Sequence, residues 1–268
     1  MTMRYAVMSD VHANPAAMRT ALDDARAQGA EKIVCLGDVV GYGPDPAEAV
    51  DICRSECDAV IMGNHDAAVA GVMGIDYFIP AAQLGVRRHS AELNETDRDW
   101  LKSLPYLHRN RSFLGAHGTP MRPDCFFYIH DMGMPTYSFA TMVEARRRVL
   151  FIGHTHHALY IVQRPGSPLK AFDATAGFDV EPGLRYIVNV GAVGYPRADG
   201  DITYVIYDTA AKRIEFRHLP FDYKGYIDRM AAKGIPLPGW LQDRIDAWKS
   251  NGVPIPNGTI PTHKGQDK

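Results

Sequence analysis

Cysteine is scarce: Cys35, Cys53, Cys57 and Cys125 are the full complement in 268 residues. They form neither a CxxC pair nor the dense spacing of a disulfide scaffold, which points to a reducing compartment and to ordinary small core residues. Long hydrophobic runs are missing too. Nothing approaches the roughly 18 apolar residues that span a bilayer, and MTMRYAVMSD has no apolar stretch after Arg4 of the kind a secretory leader requires. A cytoplasmic protein without a membrane partner is expected. Charge of one sign is also lacking. A formal net charge of −2 leaves no global basic field to hold a nucleic acid. Internal repeats and low-complexity segments are absent, so solenoid and disordered architectures drop out.

What remains is a chain long enough to bury a substantial core, and its patterning alternates. Hydrophobic runs at Arg4–Met8, Lys32–Leu36 and Ala59–Met62 are separated by helical segments, the order of βαβ units. Asn14 before Pro15 reads as an N-cap with proline at the first helical position. Ala17, Met18, Ala21, Leu22 and Ala25 supply the buried stripe, and Gly29 the end. Asp45, Pro46 and Glu48 predict a capping box for a second helix running to Glu56. Residues 71–104 look like a helical cap or insert. Strands are expected near Ser112–Ala116 and Val149–Ile152, with a helix over Ser138–Arg146 between them. The β-rich segments Leu159–Gln163, Tyr186–Val190, Ile202–Asp208 and Ile214–Leu219 suggest a second sheet. We expect one domain over 1–250, closed by helices over about 222–250, then a loose tail over 251–268.

Polar residues gather where the predicted strands end. Asp10-Val11-His12 follows the first, and in extended chain residues two apart point to one side, so carboxylate and imidazole could converge. Gly37-Asp38 follows the second, the glycine permitting a tight turn. Gly63-Asn64-His65-Asp66 follows the third. Ala116-His117-Gly118 and Gly153-His154-Thr155-His156 stand after later strands. Each motif alone is as compatible with a cap, a turn or a packed histidine. Five of them at carboxyl ends of strands, where open α/β sheets bind ligands, indicate one shared site.

Together these blocks resemble, from first to last, the signature of the calcineurin-like metallophosphoesterases, over about residues 5–157, and most closely its small bacterial subgroup. Asn189-Val190-Gly191 and Gly194-Tyr195-Pro196-Arg197 are similar to that family's later strand and turn. The resemblance implies an α/β fold, a two-sheet β-sandwich flanked by helices in four αββα layers. It also implies two divalent transition-metal ions (Mn, Fe, Zn or Ni): one on Asp10, His12 and His156, the other on Asn64, His117 and His154, with Asp38 bridging. His65 matches the position that steadies the phosphoryl group and protonates the leaving oxygen. Two divalent ions against two carboxylates leave about two positive charges, a balance suited to hydroxide and phosphate.

Substrate contacts are less clear in the sequence. Tyr42, in Gly41-Tyr42-Gly43, could stack on a ligand or simply pack. Arg122 and Arg197 could each hold two phosphate oxygens, although solvated arginine is the default. Phe126-Phe127-Tyr128 could wall a base or fill a core, and Asp66 could orient His65 or cap a helix. After Asp38 the chain reads Val39-Val40-Gly41 and lacks the Asp-Arg pair of the superfamily's protein serine/threonine phosphatases. The expected activity is hydrolysis of a small phosphomonoester or phosphodiester, nucleotides included, by a dimetal-bound hydroxide. The alternatives are a dinucleoside polyphosphate hydrolase and, in a different class, a scaffold that keeps the fold without catalysis.

Overall fold

The computed structural model describes residues 2–131, 133–197 and 200–255. The expected tail beyond Ile255 lies outside them. The chain opens with β1 (Arg4–Met8), α1 (Pro15–Ala27), β2 (Lys32–Cys35), α2 (Pro46–Glu56) and β3 (Ala59–Val60). These three strands run parallel, each in register with the next. Helices α3 (Asn64–Val69), α4 (Pro80–Glu92) and α5 (Glu95–Ser103) follow. Then come β4 (Leu107–Arg109), β5 (Leu114–Ala116), α6 (Met134–Glu144) and β6 (Val149–Ile152). After these, β7 (Leu159–Gln163), β8 (Lys170–Asp173), β9 (Phe178–Asp179), β10 (Arg185–Asn189), β11 (Ile202–Asp208) and β12 (Arg213–Leu219) complete the strands, and α7 (Tyr223–Ala232) and α8 (Gly239–Ser250) close the described chain.

Two six-stranded sheets result, ordered β3-β2-β1-β11-β12-β9 and β4-β5-β6-β10-β7-β8. The late strands therefore do not make a sheet of their own. β11 extends the first sheet antiparallel to β1, and β12 follows antiparallel to β11, whereas β7 and β10 join β5 and β6 in the second. Strand pattern alone carries no pairing information, and β4, β8 and β9 are too short or too exposed to show one.

Alternation along the strands sorts the side chains into three apolar layers. Ala6, Met8, Tyr204 and Ile206 face outward onto Met18 and Leu22 of α1, Ile52 of α2, and Tyr226 and Met230 of α7. Their neighbours Val7, Val34, Phe151, Val188 and Val205 fill the space between the sheets. Leu150, Ile152 and Ile187 pack under Phe139 and Met142 of α6. The arrangement is the four-layer sandwich, and β11 is buried on both faces because helices cover one and the second sheet the other.

Capping follows the expected chemistry at α1, where the Ala17 N–H donates to the Asn14 side chain. At α2 it does not: Asp45 makes no side-chain cap. Its carboxylate is taken instead by Lys233 at 2.8 Å, which ties the start of α2 to the end of α7.

Asp24 of α1 fastens the helical layer to the first sheet. It accepts the Tyr204 hydroxyl at 2.6 Å and both Arg217 guanidinium donors at 2.9 Å. Burial opposes its ionisation, but the Arg217 and Tyr204 hydrogen bonds prevail and hold it below the usual carboxylate range. A depressed carboxyl contributes stability above its unfolded value that is lost as pH falls through the folded one. Asp24→Asn is expected to cost about 1–3 kcal/mol near pH 7. Urea denaturation of both proteins should show that gap closing only as pH falls below the usual carboxylate range, through the depressed folded-state value of Asp24.

Candidate metal centre

The carboxyl ends of β1, β2, β3, β5 and β6 converge, and the polar residues that follow each strand lie buried together. Asp10, His12, Asp38, Asn64, His65, His117, His154 and His156 are each at most 8% exposed. They do not converge through extended chain. Asp10, His12, Asp38, His154 and His156 all adopt left-handed backbone, with φ between 45° and 69°. The chain curls at each strand end and swings the side chain into the shared space. Residues other than glycine avoid this region at roughly 1–2 kcal/mol each, so its recurrence at a single site marks constraint by function.

Hydrogen bonds to backbone carbonyls settle the imidazole tautomers. His12 Nδ1 donates to the Val40 carbonyl at 3.0 Å, His117 Nδ1 to Leu36 at 2.9 Å, and His156 Nδ1 to Tyr195 at 2.7 Å. In each neutral ring the Nε2 lone pair is then bare. Those lone pairs face other acceptors. His12 Nε2 lies 3.1 Å from His156 Nε2. His156 Nε2 is 3.2 Å from Asp10 Oδ1, and His117 Nε2 is 3.3 Å from Asp38 Oδ2 and 3.1 Å from Asn64 Oδ1. Asp10 Oδ1 is buried without a hydrogen bond.

Lone pair against lone pair in a buried space is repulsive unless a cation stands between. The ligand atoms of Asp10, His12 and His156 lie within 4.8 Å of one another, as do those of Asp38, His117 and His154. These two sets match the grouping that the resemblance implies, and Asn64 meets the second through His117. His12, Asp38 and His65 form a third set within the same distance, so His65 also stands near the cluster. The donor set of imidazoles, carboxylates and an amide oxygen fits divalent transition metals. Carbonyl-anchored Nδ1 groups are the usual outer support of such ligands.

Electrostatics show the same demand for positive charge. Burial would raise Asp10 and Asp38, yet the neighbouring imidazoles, His156 for the one and His117 for the other, hold both well below the carboxylate range. Burial would lower His117, but the adjacent Asp38 carboxylate outweighs it and lifts the ring to about 9. His154, lacking so close a carboxylate, is driven down to about 3 by burial and His117.

The remaining candidates are placed unequally. Asp66 is a capping residue: its carboxylate accepts the Gly63 and Val40 N–H groups at 3.0 and 3.1 Å and is not turned toward His65. Burial, with Asp38 nearby, pushes it up to about 7. Tyr42 and Arg197 line a cavity of about 250 Å³ that opens onto Asp38, Asn64, His65, His154 and His156. Arg122 is exposed, paired with Asp124 at 3.1 Å, and outside the cavity lining. Phe126 is buried edge-on to His117 and Tyr128 stacks on His154 at 4.0 Å, and both line the cavity. Tyr77 and Phe78, from the segment before α4, form the opposite wall. A larger cavity of about 470 Å³, bounded by Tyr160, Phe172 and Phe178, contains none of the clustered residues.

The later motif Asn189-Val190-Gly191 did not reveal which loop it supports. Asn189, at the end of β10, donates at 2.8 Å to both the Gly153 carbonyl and the Thr155 hydroxyl, and so braces the loop that carries His154 and His156. The segment beyond it is sewn to the turn that carries Asp10, with Val193 N–H on the Ser9 carbonyl and Gly194 N–H on the Asp10 carbonyl. Asn189→Ala is expected to weaken divalent-metal binding about 10–100-fold. Competition against a chromogenic chelator measures this, and the fold should persist because the apolar layers are untouched.

Residues 3–212 match the calcineurin-like phosphoesterase superfamily domain. An uncharacterized protein of Methanocaldococcus jannaschii is 28% identical over 247 residues, covering 90% of this chain and 96% of its own. The crystal structure of a metallophosphoesterase from Sphaerobacter thermophilus superposes with a TM-score of 0.76 at 31% identity, over 92% of this chain and 99% of that one. A hypothetical protein from Pyrococcus horikoshii shares the fold, with a TM-score of 0.68 at 21% identity over 89% of this chain and 96% of that one. With its buried carboxylate and imidazole cluster at the strand ends and a matched domain across most of its length, the chain belongs to the calcineurin-like phosphoesterase superfamily.

Proposed function

We propose that this protein hydrolyses small phosphoesters, monoesters or diesters, at a pair of divalent metal ions. One ion would be held by Asp10, His12 and His156, the other by Asn64, His117 and His154, with Asp38 reaching both. The observation that carries this reading is the confrontation of bare Nε2 lone pairs with carboxylate and amide oxygens at 3.1–3.3 Å in a buried space. When bound, such a pair acidifies a water and neutralises charge on a phosphoryl group.

The chain's own residues do the rest. Asp38 Oδ1 accepts the His65 backbone N–H at 2.8 Å, which places the His65 imidazole beside the cluster and inside the cavity. There it can donate to the leaving oxygen, and an arriving phosphoryl anion favours its protonated form. Arg197 lines the same cavity and offers a guanidinium to the phosphate oxygens that face away from the cluster. Tyr128 and Phe78 provide apolar walls that exclude water and accept a flat or apolar leaving group. At about 250 Å³ the cavity suits a small molecule better than a polymer track. We place the protein in the cytoplasm, in keeping with its four free cysteines. No helix among the described residues is long and apolar enough to cross a membrane.

A panel of phosphomonoesters, phosphodiesters, cyclic nucleotides and dinucleoside polyphosphates, assayed with Mn²⁺ and with a chelator, tests the activity. Turnover of esters that the chelator abolishes is expected. Preference for the polyphosphates would transfer the reading to anhydride hydrolysis, and inactivity across the panel with metal bound would favour a noncatalytic protein. His65→Ala should lower kcat by about 10²–10⁴-fold while metal content, measured by emission spectrometry, stays at the wild-type level. Loss of both metals in that variant would refute the role given to His65.

A further inference from the structure

His89 belongs to none of the strand-end motifs, yet it is fully buried on α4 with both ring nitrogens spent on the loop that carries Tyr42. The Gly41 N–H donates to His89 Nδ1 at 3.0 Å. A backbone amide can only donate, so Nδ1 is bare and the proton sits on Nε2, which donates to the Gly43 carbonyl at 3.0 Å. One imidazole thus bridges the two residues on either side of Tyr42. Burial disfavours any second proton on the ring and holds it down at about 3.

The loop requires such a brace. Gly41 and Tyr42 both have left-handed backbone, φ +95° and +53°, and within the loop itself the Gly43 N–H reaches only the Gly41 carbonyl. Helix α4 meets it with one face, Ala82, Gly85 and His89 at i, i+3 and i+7. Ala82 clusters with Tyr42 and Tyr195. At Gly85 the helix comes so near that a Cβ would stand 2.7 Å from the Tyr42 nitrogen. Beyond the loop, the Tyr42 ring stacks on Tyr195 at 4.3 Å and touches His12 at 4.8 Å and His65 at 4.7 Å. A side chain at Gly41 would collide with the His65 ring, so the Gly41 backbone forms the surface against which that ring rests.

We propose that His89 is a positioning residue for the reaction. By clasping Gly41 and Gly43 from α4, it holds Tyr42 against His12 and sets the backing of His65, and so aims the imidazole that meets the leaving oxygen. This rests on the phosphoester reading of the site. It makes the helical segment between β3 and β4 a part of the catalytic geometry.

The test uses the metal-loaded full chain with bis(p-nitrophenyl) phosphate and Mn²⁺. His89→Ala should lose about 10–100-fold in kcat with little change in KM or in metal content. His89→Gln, whose amide can accept from Gly41 and donate to Gly43, should recover most of the loss. A His89→Ala enzyme that melts at lower temperature but keeps wild-type kcat would overturn the proposal, as would a Gln variant no better than Ala. Should His89→Ala not fold, Gly85→Ala presses on the Tyr42 nitrogen from the same helix face, and an unchanged kcat there overturns it equally. Long-range ¹H–¹⁵N spectra separate this proposal from the activity itself. They should show wild-type His89 as the Nε2–H tautomer, and a His65 ring that is displaced in His89→Ala or Gly85→Ala and restored in His89→Gln. An Nδ1–H or doubly protonated His89, or an unmoved His65, refutes the positioning role even if the wild type hydrolyses nothing.

Discussion

Unprotonated imidazole nitrogens and carboxylate oxygens are buried against one another at about 3 Å, and the surrounding chain is arranged to keep them there. Left alone, such groups would repel or take up protons, as Asp38 compels His117 to do up to about 9. A divalent cation would remove the repulsion and convert it into coordination. The backbone carbonyls of Val40, Leu36 and Tyr195 matter for this reason: by binding each Nδ1–H they deny the ring the tautomer that would relieve the conflict with a hydrogen bond.

That constraint reaches into the backbone. Five residues of the cluster, Asp10, His12, Asp38, His154 and His156, occupy left-handed conformations that cost roughly 1–2 kcal/mol apiece. The sheets on either side over-determine the turns. Strands β1, β2 and β6 are buried interior strands whose pairing fixes where each turn begins. Asn189 braces the turn after β6 within the second sheet, and the Val193–Gly194 backbone binds that sheet to the Asp10 turn of the first. Strain at the site is thus carried by apolar layers that take no part in the chemistry, and loops rather than strands supply the reactive groups.

Legibility varied with the range of the interaction involved. The first helix was readable to its cap because Asn14, Pro15 and the apolar stripe act within a few residues. Asp45 carried the same local signal and behaved otherwise, since Lys233, far along the chain, offered a stronger partner than a backbone amide. Asp66, open in the sequence between orienting His65 and capping, resolved to capping through the Gly63 and Val40 amides. Of two arginines with equal standing, Arg197 reached the cavity and Arg122 turned to its neighbour Asp124. His89 stands in no motif and acts only through backbone atoms of a distant loop, whereas Asn189 stood in a motif but its partners, the Gly153 carbonyl and the Thr155 hydroxyl, were not legible there.

The sequence by itself determined the kinds of donor available and their order at the ends of hydrophobic runs, and the resemblance those motifs carry pointed to the family. Donor kind and order follow from residue chemistry and local periodicity, which a linear chain displays. Tertiary structure alone decided how the late strands divide between two sheets, which imidazole nitrogen faces the cluster, and which aromatic and cationic side chains enclose it. Each of these depends on contacts between residues separated by long stretches of chain, such as Ser9 with Val193 or Gly41 with His89, and only packing brings such pairs together.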